Sequence, residues 1–390
     1  MVKILVNATN LVVGGGVQVA TSFIVEAVRR AESDIEWMFC VSRSVAENVE
    51  KILGTGWKGE VFEQNPNHIR SGKAVRECLW KLSDAFKPDL VFTVFGPFWG
   101  KFAGRLPGLP AVQLSGCAVG WSTHPNRLVY EKIGAINALK SKLRRLWNFT
   151  GLRCSQYFWI ELDIAREGLK RGVGTDDAHI RTIGNTCAQV FHEAPKSAAD
   201  FSEKEIRLLA MGNPYVHKHF EIIPEVLAAL KKRCPERKFV FTLTAPEAGN
   251  EWKNIRTRAE ALGVGDCART VGKVALAACP KLYADSHIVF MPTLLETFSA
   301  TYPEAMAMQR PIVTTDLDFA HSICGNAAVY YSPLSAEDAA EKILRVIEDA
   351  GLQQQLISEG AKVLSALPSP QEKYEHLVEY MRDIVFQENT

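Results

Sequence analysis

The sequence predicts an α/β protein built as two doubly wound parallel-sheet halves facing a cleft. Three observations predict it. Short apolar runs alternate with amphipathic helical stretches almost throughout, as in strands joined by crossover helices. The alternation restarts at Ile206-Arg207-Leu208-Leu209-Ala210-Met211, after a polar, irregular stretch from Asn185 to Glu203 that includes Pro195-Lys196-Ser197. A chain of 390 residues also exceeds one ordinary core, which makes two domains the default.

In the first half the apolar runs predict strands near 2–7, 36–41, 89–94, 111–114, 153–159 and 179–183. Between the first two, Val17, Ala20, Phe23, Ile24, Ala27 and Val28 recur at the 3.6 period and predict a helix over 17–31. In the second half the strands fall at 206–211, 238–243, 269–271, 288–290, 312–313 and 328–330. After Pro368-Ser369-Pro370 a last helix begins at Gln371, with Tyr374, Leu377, Val378, Met381 and Val385 on its apolar face. The expected divisions are residues 1–185, a linker over 186–204, a second domain over 205–370, and a tail helix over 371–390.

Composition narrows the class. Apolar residues make up 47% of the chain, yet none of its runs reaches the ~18 uninterrupted apolar residues of a membrane span. Met1-Val2-Lys3-Ile4-Leu5-Val6-Asn7 lacks a signal-peptide core and reads as a first strand. Nine cysteines without a C-x-x-C pair fit a reduced, cytoplasmic protein better than a zinc site or a disulfide frame. The net charge of +1 hides an asymmetry. Residues 1–200 carry 25 Lys/Arg against 19 Asp/Glu, and residues 201–390 carry 20 against 25. Within 101–153 nine cations meet one acid, Glu131. There Lys140, Lys142, Arg144 and Arg145 interleave with Leu139, Leu143, Leu146 and Trp147, an amphipathic helix suited to an anionic bilayer. The alternative is a surface helix that packs its leucines onto the domain. Nucleic-acid binding is not expected, since aromatic platforms and known modules are missing.

The most informative stretch runs from Pro292 to Ala307, PTLLETFSATYPEAMA. It sets Glu296 and Glu304 at either end of a small, hydroxyl-rich loop between an apolar strand and a helix. Phe298, Ser299, Ala300 and Thr301 form that loop. A strand–loop–helix junction offers backbone N–H groups and the positive end of a helix dipole to phosphate or sugar oxygens. Two carboxylates there can accept hydrogen bonds from a polyol. Gly14-Gly15-Gly16, between the first strand and its helix, lets backbone approach a ligand, although it does not form a G-x-G-x-x-G fingerprint.

This stretch resembles the E-x7-E signature of retaining, family-4-type glycosyltransferases of the GT-B fold. Glu296, Phe298, Glu304, Ala305, Met306 and Ala307 match it, as does the following Pro311-Ile312-Val313. Thr297 and Ser299 replace its two glycines, which predicts ordinary φ angles at both positions and a narrower donor pocket. The resemblance implies that Glu304 holds the nucleotide ribose and Glu296 the donor sugar. It implies that Lys218, in Gly212-Asn213-Pro214-Tyr215-Val216-His217-Lys218, stabilises the leaving diphosphate, with Asn213 where the family carries arginine. Gly15 and Gly16 would contact the diphosphate or acceptor. His124, which alone reads as a structural residue before Pro125, would line the donor sugar. Lys273 and Val274, alone an ordinary strand-end turn, would lie near the base.

Asp316 and Asp318 are further cleft candidates; they are not read as a D-x-D motif of the kind that holds a metal–diphosphate complex, and metal independence is expected. The implied reaction moves a sugar from a nucleotide-diphosphate donor to an acceptor hydroxyl. A lipid-linked saccharide of surface polysaccharide or lipopolysaccharide is the expected acceptor, on the inner face of the cytoplasmic membrane. Two rivals share the donor: a GT-B sugar-nucleotide epimerase, which would act on donor alone, and a non-catalytic sugar-nucleotide-binding subunit.

Overall fold

The computed structural model describes residues 1–68, 72–98 and 111–388. They form two compact units.

The first unit comprises residues 1–124, 136–185 and 368–390. Its strands are Val2–Ala8 (β1), Ile35–Ser42 (β2), Glu60–Phe62 (β3), Leu90–Thr93 (β4), Val112–Gly116 (β5), Tyr157–Ile160 (β6) and Ile180–Thr182 (β7). They lie in the order β3-β2-β1-β4-β5-β6-β7, and all pairs are parallel. The expected helix over 17–31 spans Gly15–Arg30, entered through Gly14 and ended by Ala31 in the left-handed region. Two differences have local causes. The strand expected over 153–159 begins only at Tyr157, because a helix runs on to Leu152 and Ser155 N–H closes a turn onto the Leu152 carbonyl. β3 was not legible because it is a three-residue edge strand opening on a charged Glu60.

The tail helix, Pro370–Glu388, completes this unit. Its Tyr374, Leu377, Val378, Met381 and Ile384 enter the core beside Phe23, Tyr157 and Trp159. Lys373 is buried with them, donating to Asn185 Oδ1 at 2.9 Å and lying 4.9 Å from the Trp159 ring. Burial lowers its pKa to about 8, opposed by Glu161 3.7 Å away.

The second unit comprises residues 125–135 and 186–367. Its strands are Glu205–Ala210 (β8), Lys238–Leu243 (β9), Ala268–Thr270 (β10), Ile288–Met291 (β11), Ile312–Thr315 (β12) and Ala328–Tyr331 (β13). The order is β10-β9-β8-β11-β12-β13, again parallel. Chain order reverses direction between β8 and β11, the position at which open α/β sheets bind ligands beyond the strand carboxyl ends.

Two expected boundaries shift. Residues 125–135 leave the expected first domain because Asn126 and Lys132 bond to second-unit residues and Val129 is buried. The stretch 186–204 is not a free linker. It contains a helix, Gln189–Glu193, whose Phe191 is buried edge-on against Tyr283.

Met381 is fully buried, and Met381→Ala is expected to destabilise the first unit by about 2–5 kcal/mol, measured by urea denaturation.

Candidate active site

The loops after β8 and β11 meet. β8 and β11 are hydrogen-bonded neighbours with Ile288 opposite Leu208 and Val289 opposite Leu209, so their exits lie side by side. After β8 the chain turns at Gly212, whose φ of 123° is strained for any residue with a side chain. Thr244, just past β9, clips this turn: Gly212 N–H donates to Thr244 Oγ1 at 2.9 Å, and that hydroxyl lies 3.1 Å from the Gly212 carbonyl. A single helical turn, Val216–Lys218, then aims Lys218 back over Gly212.

After β11, Thr293, Leu294 and Leu295 are all buried. Leu294 N–H donates to the His217 carbonyl at 2.7 Å, and Thr315 Oγ1 donates to the Thr293 carbonyl at 2.6 Å. These bonds deliver Glu296 onto Lys218, and the two form an ion pair with side chains only 13% and 11% exposed. Lys218 Nζ also lies 3.4 Å from Ser299 Oγ, and Thr293 Oγ1 3.4 Å from Glu296 Oε1. The residues expected to divide sugar and diphosphate between them thus stand in direct contact. Beside them, burial lowers the His217 pKa and the neighbouring Glu296 opposes the shift. The His217 ring stacks on the half-exposed ring of Tyr215 at 5.5 Å.

Thr297 and Ser299 stand outside the positive-φ residues, as their side chains require. Ser299 is buried and Ala300 exposed, and the helix Thr301–Ala307 follows. Glu304 lies in its first turn and accepts a hydrogen bond of 2.5 Å from the Tyr283 hydroxyl. Part of Glu304 reaches solvent, but its carboxyl sits in a recess crowded by protein. That burial pushes its pKa up to about 7, against the opposing effects of the Tyr283 hydrogen bond and Lys218.

The other expected site residues fall elsewhere. Asn213 sits in the turn before Lys218, its carbonyl accepting from Tyr215 N–H at 2.8 Å. Lys273 is exposed and Val274 half-buried in the turn after β10. Asp316 accepts from His321 Nε2 at 2.6 Å, and Asp318 opens the helix Asp318–Cys324. Gly15 and Gly16 begin the first unit's helix 15–30. His124 ends a short helix, Gly120–Thr123, with Nδ1 2.8 Å from Thr123 Oγ1. The helix Arg166–Val173 packs so closely on that turn that a Cβ at Gly168 would lie 1.6 Å from the Thr123 carbonyl oxygen.

The basic helix departs from the packed alternative. Within Arg127–Leu152, a non-helical Gly134 separates residues 127–133 from the rest. Beyond it Ile136, Leu139, Leu143 and Leu146 are all more than half exposed, and Lys140, Lys142 and Arg144 are exposed. Trp147 is also exposed, while Arg145 lies over the Phe149 ring at 5.4 Å. The leucines do not pack onto the domain.

Sequence reading missed Tyr283, Thr244 and Asn126, which act through tertiary contacts with no local pattern. Between about pH 4.5 and about pH 7 the folded state holds a proton that the unfolded chain releases, so this site loses stability as pH rises through that window. Glu304→Gln is therefore expected to flatten the fall in melting temperature between those pH values and to be most stabilising above about pH 7.

Comparison with known proteins finds glycosyltransferases. The family described as "Glycosyl transferases group 1" matches residues 193–363. Alpha-D-kanosaminyltransferase of Streptomyces kanamyceticus is 22% identical over 221 residues, 54% of this chain and 55% of that protein. The chain thus matches about half the length of this curated relative. A glycosyltransferase from Rickettsia africae has the same fold, with a TM-score of 0.70 at 14% identity over 98% of each chain. Anabaena HepE in complex with UDP-glucose gives 0.71 at 14% identity, over 98% of this chain and 100% of that one. WaaG, a glycosyltransferase involved in lipopolysaccharide biosynthesis, gives 0.66 at 14% identity, over 98% and 99%. The chain has two Rossmann-like, parallel-sheet domains matching GT-B glycosyltransferase structures, and its residues 193–363 match the glycosyl transferases group 1 family.

Proposed function

We propose that this protein is a retaining glycosyltransferase that moves a hexose from a nucleotide-diphosphate sugar to an acceptor hydroxyl. The observation that carries the reading is the contact of Lys218 with Glu296, close to Ser299 and at the other end of one loop from Glu304, which Tyr283 holds, at the sheet's switch point. Glu304 binds the ribose, and Glu296 accepts hydrogen bonds from the donor sugar. Lys218 supplies a point charge to the diphosphate as the bond from the anomeric carbon to phosphate oxygen breaks. The acceptor oxygen bonds to the same face of that carbon, and its proton passes to the departing phosphate. Charge on the diphosphate is assigned to Lys218 and loop N–H groups, with no metal required. Solved relatives with UDP, with UDP-glucose and with a glycerol glycoside support a nucleotide-sugar donor and a saccharide acceptor.

The acceptor we assign is a lipid-linked saccharide of surface polysaccharide synthesis. The exposed stripe of Ile136, Leu139, Leu143 and Leu146, flanked by Lys140, Lys142, Arg144 and Arg145, supports docking on an anionic membrane. Among the described residues, no helix is long and apolar enough to cross one.

A thermal-shift panel of nucleotide sugars identifies the donor. With that donor, Glu296→Ala and Lys218→Ala are each expected to lower kcat on the order of 100-fold, and a chelator is expected to leave the wild-type rate unchanged. Undiminished transfer by folded variants refutes the assignment, and product formed from donor alone points to epimerisation instead. In flotation with anionic liposomes, replacing Lys140, Lys142, Arg144 and Arg145 by glutamine is expected to weaken binding by about 1 kcal/mol per cation. Binding that ignores these charges removes the membrane from the proposal.

A further inference from the structure

Residues 125–135 belong to the second unit although first-unit residues flank them on both sides. One side chain explains much of their attachment. Asn126 Oδ1 accepts the Val129 N–H at 3.0 Å, capping the helical segment that starts at Arg127. The same amide's Nδ2 donates to the Leu294 carbonyl at 2.6 Å. Farther along the segment, Lys132 Nζ pairs with Glu221 Oε1 at 2.9 Å, and Val129 is buried.

Leu294 is the junction of the site. It is fully buried, its N–H is given to the His217 carbonyl, and its own carbonyl takes the Asn126 amide. Lys218 follows His217 directly, and Glu296 comes two residues after Leu294. A shift of the Leu294 peptide would therefore move both members of the ion pair, and a displacement of about 1 Å is enough to slow an enzyme on the order of 100-fold. We infer that Asn126 is a positioning residue for Glu296 and Lys218, its amide clipping the segment 125–135 to the loop after β11. This rests on the proposed role of those two residues.

Asparagine is suited to both duties because its amide accepts and donates at once. Asn126→Asp separates them: it keeps the capping oxygen but loses the donor and sets a carboxylate against the Leu294 carbonyl. With the donor identified as above, Asn126→Asp is expected to lower kcat on the order of tenfold to 100-fold with a smaller change in donor KM. By hydrogen exchange, peptides over 292–300 should exchange faster in this variant, while those over 127–133 keep wild-type protection. Asn126→Ser, which also caps but cannot reach Leu294, should repeat both results and serves if the aspartate variant does not fold. Wild-type kcat and protection in these capping variants, with losses only in Asn126→Ala, would reduce Asn126 to a helix cap and overturn the inference. The exchange readout does not depend on turnover. If the wild-type protein transfers no sugar, the proposed function fails while the clip is still tested.

Discussion

The pairing of β8 with β11 is the constraint on which the candidate site depends. Consecutive strands of a doubly wound sheet normally send their loops away along one direction of the sheet. Where the direction reverses, two loops distant in sequence leave adjacent strand ends with no helix between them. Here those loops carry Lys218 and Glu296, separated by 78 positions in the chain yet joined as an ion pair. Burial of Thr293, Leu294 and Leu295, and the hydrogen bond from Leu294 N–H to the His217 carbonyl, fix the separation of the loops before any charge is considered.

Within this frame two glutamates of the same chemistry stand in different surroundings. Glu296 faces the ammonium group of Lys218. Glu304 lies in a recess with a phenol as its hydrogen-bond partner, and burial raises its pKa to about 7. On the proposed reading, separate environments give these two like carboxylates separate tasks. Burial makes this difference, and the Tyr283 hydroxyl, which donates to one Glu304 oxygen, opposes it. The positive charge of Lys218 also opposes it.

How much of this was legible in the sequence depends on the range of the interaction. Strands such as Lys238–Leu243 and Ile288–Met291 follow from continuous apolar runs, since a strand covered on both faces must be apolar throughout. The carboxylate pair was legible because both members lie in one strand–loop–helix stretch. The attachment of Phe191 to Tyr283 was not, and the stretch around it therefore read as a linker. Asn126 was invisible for the same reason: nothing near Arg127 in the chain announces a bond to Leu294, 168 residues on. Thr297 and Ser299 were legible as departures from the glycines of the resembled motif, and their ordinary backbone angles show that this loop does not need glycine's freedom.

The segment from Arg127 to Leu152 shows how one residue can divide a helix by duty. Before Gly134 its side chains are committed: Val129 is buried and Lys132 is paired with Glu221. At the far end Phe149 and Leu152 close a small core with Phe158, Ile160 and Leu169. Between them Ile136, Leu139, Leu143 and Leu146 have no such commitment, and they recur at three- and four-residue intervals along one stripe. A folded protein gains nothing in water by displaying a contiguous apolar stripe, whereas a bilayer interface would cover it while the adjoining lysines and arginines reach the headgroups. Because Phe149 and Leu152 anchor this part of the segment in the first unit, the stripe can stay exposed without loosening that unit. On the proposed reading, this lets the protein meet its acceptor at a membrane without spending any of its core to do so.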